Sequence, residues 1–209
     1  MHAGGAVPIR CGQRRGLGGL RQAGEGAGLD HPFIAGFARA MNDEGVATLR
    51  FNFPYMEAGR RSTDTPAVAV AAIEAAFEQA SGRARSEPVW ASGKSFGGRM
   101  ASMAVAEGLP AAGLVFLGYP LHAPGRTDRV RDEHLDTIPV PMLFLHGSDD
   151  PFALPDLIGA TVRRLGRRAK LHEVVGGDHS FNVKGDRKDT RDVGASLAPI
   201  AAAFMRKKL

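Results

Sequence analysis

The segment Trp90-Ala-Ser-Gly-Lys-Ser-Phe-Gly-Gly-Arg-Met100 decides the fold of this chain. It contains the pentapeptide Gly93-Lys-Ser-Phe-Gly97, in which a serine stands between two glycines. An apolar run precedes it at residues 88–91, and small residues in a helical pattern follow at 100–107. A strand that turns sharply into a helix exposes one serine hydroxyl at the top of a sheet. The segment therefore predicts a nucleophile at Ser95, and the two glycines leave room for the neighbouring backbone.

Two other interpretations of this pentapeptide are weaker. Glycine is abundant in the chain, with 27 residues, so the pattern G-x-S-x-G alone has little specificity. Its first three residues also resemble the end of the phosphate-binding loop G-x-x-x-x-G-K-[ST]. That motif requires glycine at position 88, where this chain has Pro88. The strand, turn and helix around the pentapeptide favour the nucleophile.

Length and composition indicate a single globular domain. The chain has 209 residues, of which 44% are hydrophobic and 23% charged. Its single cysteine, Cys11, excludes an internal disulfide and fits a reducing compartment, so we expect a cytoplasmic protein. The N-terminal residues contain no apolar run typical of a secretory signal, and no apolar stretch is long enough to span a bilayer. We therefore expect no membrane association.

The positive charge of the chain does not indicate nucleic-acid binding. There are 27 basic and 22 acidic residues, which gives a formal net charge of +5. The basic residues are scattered except at 163–170 and 206–208, at the ends of predicted helices, where cations complement the helix dipole. No interleaved aromatic residues and no DNA-reading motif accompany them, so we expect no nucleic-acid partner.

Short apolar strands alternate with amphipathic helices along most of the chain. This alternation predicts an α/β fold with a doubly wound, mostly parallel sheet. We predict strands at residues 46–51, 88–92, 113–118, 141–146 and 169–175, with a polar loop between residues 51 and 66. We predict helices after an N-cap at Asp30, around 70–77, at 100–107, at 154–166 and around 193–204, the last bent or delayed by Pro199.

The first 23 residues differ from the rest of the chain. They are rich in glycine and arginine and show no regular period. Ala6–Cys11 is a weak strand candidate, because Pro8 disfavours a position inside a sheet. We therefore divide the chain into an atypical N-terminal segment, 1–23, and an α/β domain, 24–209.

Reactive side chains follow three of the predicted strands, at the sheet edge where ligands of parallel sheets bind. They are Ser95, the pair Asp149 and Asp150, and His179. A histidine can take the proton of a serine hydroxyl and return it later, and a carboxylate can orient the imidazole. The order Ser, Asp, His along the chain is that of α/β-hydrolase enzymes. The alternative for His179 is a structural loop histidine.

The same chemistry needs two N–H donors for the developing oxyanion. We expect one from the backbone of Phe96, directly after the nucleophile. The other is expected from the glycine-rich loop 24–28, at Glu25 or Gly26.

Further side chains are candidates for the rim of a pocket. His31 and His122 follow predicted strand ends, although local hydrogen bonding explains both equally well. An apolar rim is also suggested by five aromatic residues, although core packing explains them equally well: Phe51, Phe53, Tyr55, Tyr119 and Phe152. The histidines show no spacing typical of metal ligands, so we expect neither a metal nor another cofactor.

Several motifs together resemble one family of proteins. It is the α/β-hydrolase-like group that includes the regulatory subunit of the non-specific-lethal chromatin complex and the testis-expressed hydrolase-like proteins, and it is related to dienelactone hydrolases. The resemblance covers about residues 24–209. It is carried by Gly26-Ala-Gly-Leu-Asp-His-Pro-Phe33, Arg50-Phe-Asn-Phe-Pro-Tyr-Met-Glu-Ala-Gly-Arg-Arg61, Gly93-Lys-Ser-Phe-Gly-Gly-Arg-Met-Ala-Ser102, Gly118-Tyr-Pro-Leu-His122, residues 141–150 and Gly176-Gly-Asp-His-Ser-Phe181.

The resemblance implies a hydrolase fold without a large lid. It implies Ser95, Asp150 and His179 as a catalytic triad, and its spacing favours Asp150 over Asp149 as the acid. Some eukaryotic relatives in this group act as subunits of complexes, so the resemblance does not by itself imply an active enzyme.

The chain departs from this family at its front. The family has an apolar strand that runs into His-Gly-x-Gly and lies between the strands predicted here at 46–51 and 88–92. Here Ala23 stands at the histidine position, and residues 16–22 are a poor strand. We hypothesise that residues 1–23 derive from a misassigned start or a shifted reading frame, so that the N-terminal strands are missing or degraded. Otherwise residues 17–23 must form a weak central strand.

Together these features predict an esterase-like serine hydrolase that cleaves an ester, thioester or similar acyl bond of a small molecule. The alternative is a catalytically silent protein of the same fold that acts as a binding partner or scaffold. The complete set of Ser95, Asp150 and His179 favours the enzyme, whereas the atypical N-terminal segment favours the silent protein.

Overall fold

The computed structural model describes residues 28–84 and 86–208, together with the backbone of residues 6–11. The strands are β1 (Ala6–Cys11), β2 (Val46–Thr48), β3 (Val89–Lys94), β4 (Leu114–Leu117), β5 (Met142–Gly147) and β6 (Ala169–Val174). The helices are α1 (Pro32–Asp43), α2 (Pro54–Glu57), α3 (Pro66–Ala84), α4 (Phe96–Ala106), α5 (Pro155–Leu165), α6 (Thr190–Ser196) and α7 (Ala198–Arg206). Short 3-10 helices lie at Glu133–Thr137 and Gly166–Arg168.

These strands form one sheet in the order β2-β1-β3-β4-β5-β6. The four strands β3 to β6 are parallel, which confirms the predicted α/β architecture with a mostly parallel sheet. The carboxyl ends of parallel strands meet at one edge. The loops that follow β3, β5 and β6 therefore converge, and they carry the three reactive groups predicted from the sequence.

Strand β1 occupies the central position that the sequence left without a convincing strand. It lies between β2 and β3 and runs antiparallel to both, with Cys11 opposite Val46 and Ala6 opposite Gly93. Pro8 lies opposite Ala91 of β3, whereas the pairing with β2 covers only Ile9 to Cys11. The expectation that residues 17–23 form this strand concerns residues outside the described part of the chain, and the domain division at residue 24 stays a prediction.

Two apolar layers cover the faces of the sheet, as expected for a doubly wound fold. Because successive side chains of a strand point to opposite faces, Trp90 packs on one face and Val89 and Ala91 pack on the other. The Trp90 face is covered by α1, α6 and α7, and the opposite face by α3, α4 and α5. No helix in the described residues is both long and apolar enough to span a membrane.

Several element boundaries differ from the sequence prediction. The N-cap of α1 is His31 and not Asp30, because the His31 ring accepts the Phe33 N–H, whereas the Asp30 carboxylate lies beside Arg50. Strand β2 ends at Thr48, and the predicted polar loop contains α2. The closing helix is interrupted as predicted, since Pro199 lies in the first turn of α7.

Candidate active site

Ser95 lies at the turn between β3 and α4 in a strained backbone conformation. Its φ and ψ are 51° and −120°, a region that residues with a side chain rarely adopt. The turn is tight, because a Cβ atom on Gly93 would overlap the backbone of Gly97, as the pentapeptide predicted. A Cβ atom on Gly98 would lie only 2.7 Å from the Gly93 carbonyl oxygen, so glycine is also required at position 98. The serine hydroxyl is thereby presented at the carboxyl edge of the sheet.

The loops after β3, β5 and β6 bring three side chains into one hydrogen-bonded chain. In the neutral imidazole, the Ser95 hydroxyl donates to Nε2 of His179 at 2.8 Å. On the other side of the ring, Nδ1 donates to Oδ2 of Asp150, also at 2.8 Å. The imidazole is half-buried and the carboxylate is fully buried. Side chains in such an arrangement can act as a nucleophile, a general base and an orienting acid.

The two neighbouring aspartates after β5 have different environments. The second oxygen of Asp150 accepts the Phe152 N–H at 2.8 Å, so both of its carboxylate oxygens have donors. Asp149 is exposed, and its carboxylate accepts the neighbouring Ser148 hydroxyl. The carboxylate in contact with the imidazole is therefore that of Asp150.

The loop after β6 carries His179 and is called the histidine loop. It is held by hydrogen bonds from its backbone to Asp178 and by close contact with the ends of β4 and β5. The Asp178 carboxylate accepts the N–H groups of Ser180 and Asn182, so it points away from the imidazole. A Cβ atom on Gly147 would overlap the backbone of this loop, and one on Gly118 would lie 3.3 Å from the His179 carbonyl oxygen. The loop is thus seated directly on the ends of β4 and β5.

Lys94, the residue before Ser95, was not predicted from the sequence as part of the site. Its side chain is only 4% exposed, and its ammonium donates to the backbone carbonyl of His179 at 2.8 Å. The ammonium also lies 5.2 Å from the ring centre of Phe33 and 5.8 Å from that of Phe181. Burial lowers the pKa of Lys94 to about 8, although the charges of Asp150 and Asp178 oppose this shift. The available signal was strand alternation, which places residue 94 on the same buried face as Trp90.

Aromatic rings surround the nucleophile turn. The ring of Phe152 contacts the His179 imidazole, with centroids 4.4 Å apart. Phe96 contacts Phe53 and Tyr55 edge to face on the other side of the turn. The surroundings of Ser95 are therefore largely apolar.

The two tyrosines predicted as rim candidates are core residues. Tyr119 is 2% exposed and its hydroxyl donates to the Arg131 carbonyl, and burial raises the pKa of this phenol. Tyr55 is also buried and stacks on Phe53, and burial raises its pKa, followed by the nearby charge of Asp64. Core packing, the alternative left open from the sequence, accounts for the placement of both tyrosines.

The two rim histidines are used by the backbone. His122 is buried, with Nδ1 donating to the Ala123 carbonyl and Nε2 accepting the Leu154 N–H, so neither ring nitrogen is free for a ligand. His31 caps α1, and its pKa is lowered by burial and then by the charge of Lys94. Local hydrogen bonding accounts for both residues.

Phe96 is the first residue of α4, so its N–H has no acceptor within the helix and stands directly beside Ser95. Glu25 and Gly26, expected to supply the second oxyanion donor, lie outside the described residues. The segment that follows them is held firmly, because the Leu29 N–H donates to Oδ1 of Asn52 at 2.5 Å and Arg50 donates to the Leu29 carbonyl.

No group of three or more His, Cys, Asp or Glu side chains suited to a metal ion occurs within residues 28–84 and 86–208.

Comparison with known proteins gives a family match over most of the chain. Residues 21–206 match the family described as alpha/beta hydrolase domain.

Several solved structures share the fold at low sequence identity. An alpha-beta serine hydrolase homologue from Coxiella burnetii has a TM-score of 0.64 at 16% identity, covering 85% of this chain and 78% of its own. A serine hydrolase without a lid from Xanthomonas campestris has a TM-score of 0.63 at 20% identity, covering 86% and 77%. Est1E from Butyrivibrio proteoclasticus, solved with ferulic acid, has a TM-score of 0.64 at 16% identity, covering 87% and 84%.

Proposed function

Because this chain belongs to the alpha/beta hydrolase domain family, we propose that it is a serine hydrolase that cleaves an ester, thioester or similar acyl bond of a small molecule. The observation that carries this proposal is the continuous contact from Ser95 through His179 to Asp150, with both hydrogen bonds at 2.8 Å. A serine hydroxyl is a weak nucleophile until a positioned base takes its proton.

In the first half of the proposed reaction, Oγ of Ser95 attacks the carbonyl carbon while its proton moves to Nε2 of His179. The carboxylate of Asp150 stabilises the imidazolium that forms. The tetrahedral intermediate then expels the alcohol or thiol, which receives the proton from Nε2. The product of this half is an acyl ester on Ser95.

In the second half, water attacks the acyl ester and gives its proton to Nε2 of His179. Collapse of the second intermediate releases the carboxylic acid and returns the proton to Oγ of Ser95. The apolar surroundings formed by Phe96 and Phe152 strengthen the electrostatic interactions of these steps, because they limit access of water.

We assign the oxyanion of both intermediates to the N–H of Phe96. This N–H has no acceptor within α4, because Phe96 is the first residue of the helix. The second donor is proposed at Glu25 or Gly26. Asn52 and Arg50 support this assignment, because they fix Leu29 only a few residues later. Loss of one such donor typically slows catalysis by about 10²–10³-fold.

Within the family, we infer membership of the group that includes the regulatory subunit of the non-specific-lethal complex and the testis-expressed hydrolase-like proteins, related to dienelactone hydrolases. The motifs quoted from the sequence carry this inference. The names of the structural neighbours support an esterase-like reaction, since they include an esterase domain from Rhodothermus marinus and Est1E.

A second candidate function, a silent binding partner or scaffold, is favoured by the direction of β1. Because β1 is antiparallel to β3, it ends at Cys11, near the edge of the sheet opposite Ser95. A parallel strand would end beside Ser95, and the chain would continue from there. β1 instead ends at the opposite edge of the sheet. A scaffold needs the fold but not a complete oxyanion site.

Labelling with a fluorophosphonate, which reacts with activated serines, separates the two functions. We expect the wild-type protein to be labelled and Ser95→Ala not to be labelled. His179→Ala is expected to slow labelling by several orders of magnitude, and hydrolysis of small aryl esters should follow the same order. A well-folded wild-type protein that is neither labelled nor active on any such ester would support the scaffold.

A further inference from the structure

Lys94 is a buried cation that the proposed proton transfers do not use. It shares a face of β3 with Trp90, and this face is covered by apolar side chains of α1 and α7. Fully buried lysines are rare unless they are paired, because burial removes the ammonium from water. A lysine in this position therefore needs a reason beyond packing.

The direct partner of the ammonium is a backbone carbonyl. Lys94 donates to the oxygen of His179 at 2.8 Å, and in the described part of the chain no carboxylate oxygen lies within 4 Å of Nζ. The same carbonyl faces Gly118 at the end of β4, where any side chain would crowd it. The backbone of the histidine is thus held between the ends of two strands.

The loop that carries the histidine is under strain close to this contact. Phe181 has a φ of 65°, which residues with a side chain rarely adopt, and its ring lies against the Lys94 ammonium. Such conformations persist only where their surroundings fix them. The hydrogen bond and the ring contact from Lys94 are two of the interactions that fix this loop.

We propose that Lys94 is a positioning residue that anchors the backbone of His179 and so holds the imidazole between Ser95 and Asp150. This inference rests on the proposed serine-hydrolase function. Lys94 and Ser95 are adjacent at the end of β3. The contact of Lys94 with the His179 backbone therefore fixes the distance between the imidazole and the Ser95 hydroxyl. A rotation of the histidine loop would otherwise change both imidazole hydrogen bonds at once.

The strength of the anchor depends on the charge of the ammonium. The titratable groups that face it are Asp150 after β5, Asp178 in the histidine loop and His31 at the start of α1. The pKa of Lys94 is about 8, so the ammonium loses its proton above that pH. A neutral amine is a weaker donor than an ammonium. The reaction of Ser95 should therefore slow as the pH rises through 8.

The test is the rate constant of fluorophosphonate labelling between pH 6 and 10. Lys94→Met keeps the length of the side chain and suits its apolar surroundings, and we expect labelling about 10- to 100-fold slower than wild type. Lys94→Arg keeps a donor whose pKa stays above the range tested, so we expect partial activity without the fall above pH 8. Lys170→Met, at an exposed lysine on β6, is the matched control and should behave as wild type.

A Lys94→Met protein with the wild-type rate and pH profile would overturn the proposal. If this variant does not fold, the profile of Lys94→Arg decides instead, and an unchanged fall near pH 8 would count against Lys94.

A second measurement does not depend on turnover. The Nδ1–H proton of His179 is observed by NMR in Ser95→Ala, with and without Lys94→Met, and we expect the second change to shift or broaden it. If the wild-type protein is not labelled, the proposed function fails and this resonance still decides the role of Lys94. An unchanged resonance overturns it.

Discussion

The energetic cost of the backbone strain at Ser95 can be measured by comparing the free energies of unfolding of Ser95→Ala and Ser95→Gly. Both substitutions remove the hydroxyl and its hydrogen bond to His179, and the Ser95 side chain makes no capping bond to α4. The two variants therefore differ only in the Cβ atom. With φ at 51° and ψ at −120°, that atom is the cause of the strain.

The magnitude follows from two opposing effects. A residue with a side chain in such a conformation costs about 1–3 kcal/mol, which glycine avoids. Glycine also gains entropy in the unfolded chain, which destabilises its folded state by about 0.4–1 kcal/mol relative to alanine. We therefore expect Ser95→Gly to have a free energy of unfolding about 1 kcal/mol higher than that of Ser95→Ala.

The assay is equilibrium unfolding in urea, supported by thermal unfolding, where about 1 kcal/mol corresponds to roughly 2–4 °C for a domain of this size. The control is the same exchange at Ala75, an exposed residue of α3. There the helical backbone favours alanine, so Ala75→Gly should lower the free energy of unfolding by about 1 kcal/mol.

The opposite signs at the two positions are the diagnostic result. If Ser95→Ala were as stable as Ser95→Gly or more stable, the backbone at Ser95 would not be strained. The account of the nucleophile turn would then be wrong.

Three further changes test the acid, the buried cation and the helix packing. Asp150→Asn should slow fluorophosphonate labelling by about 10³–10⁴-fold, whereas Asp149→Asn should leave the rate within about twofold; equal effects would contradict the assignment. Burial lowers the pKa of Lys94 in the folded state from 10.5 to about 8, so the charged ammonium destabilises the fold. This destabilisation is complete below pH 8 and vanishes as the pH rises to 10.5. Lys94→Met should therefore gain up to about 3 kcal/mol of stability near pH 7, less the lost hydrogen bond, and this gain should shrink above pH 8 in urea unfolding. Gly194→Ala should destabilise the fold by about 2–3 kcal/mol, because the new Cβ atom would overlap the backbone of α1. Gly82 lies on α3 with open space around it, so Gly82→Ala should stabilise the fold by about 0.5–1 kcal/mol in the same assay.

Much of this fold was predictable because local patterns and long-range packing agree. The apolar runs that became β3, β4 and β5 are buried on both faces, so their composition alone identified them as inner strands of a parallel sheet. Their ends then indicated where Ser95 and Asp150 would meet.

Other features depend on contacts that no local pattern encodes. β1 contains a proline and lacks a clear alternation, and its place in the sheet follows from the gap between β2 and β3 rather than from its own sequence. The N-cap role of His31 depends on the orientation of its ring, and the buried hydroxyl of Tyr119 finds its acceptor in the Arg131 carbonyl. Lys94 was missed because a lysine suggests a solvated surface until its strand face is known.

The central place of β1 has a consequence for synthesis on the ribosome. Ala6 pairs with Gly93, a residue 87 positions later, so β1 emerges long before both of its neighbours in the sheet exist. Until then the backbone polar groups of β1 that pair with β3 lack their partners, and unpaired strands promote association between nascent chains. Slow translation before residue 94 would lengthen this interval, so the yield of properly folded protein should depend on codon choice and chaperone supply more than on final stability.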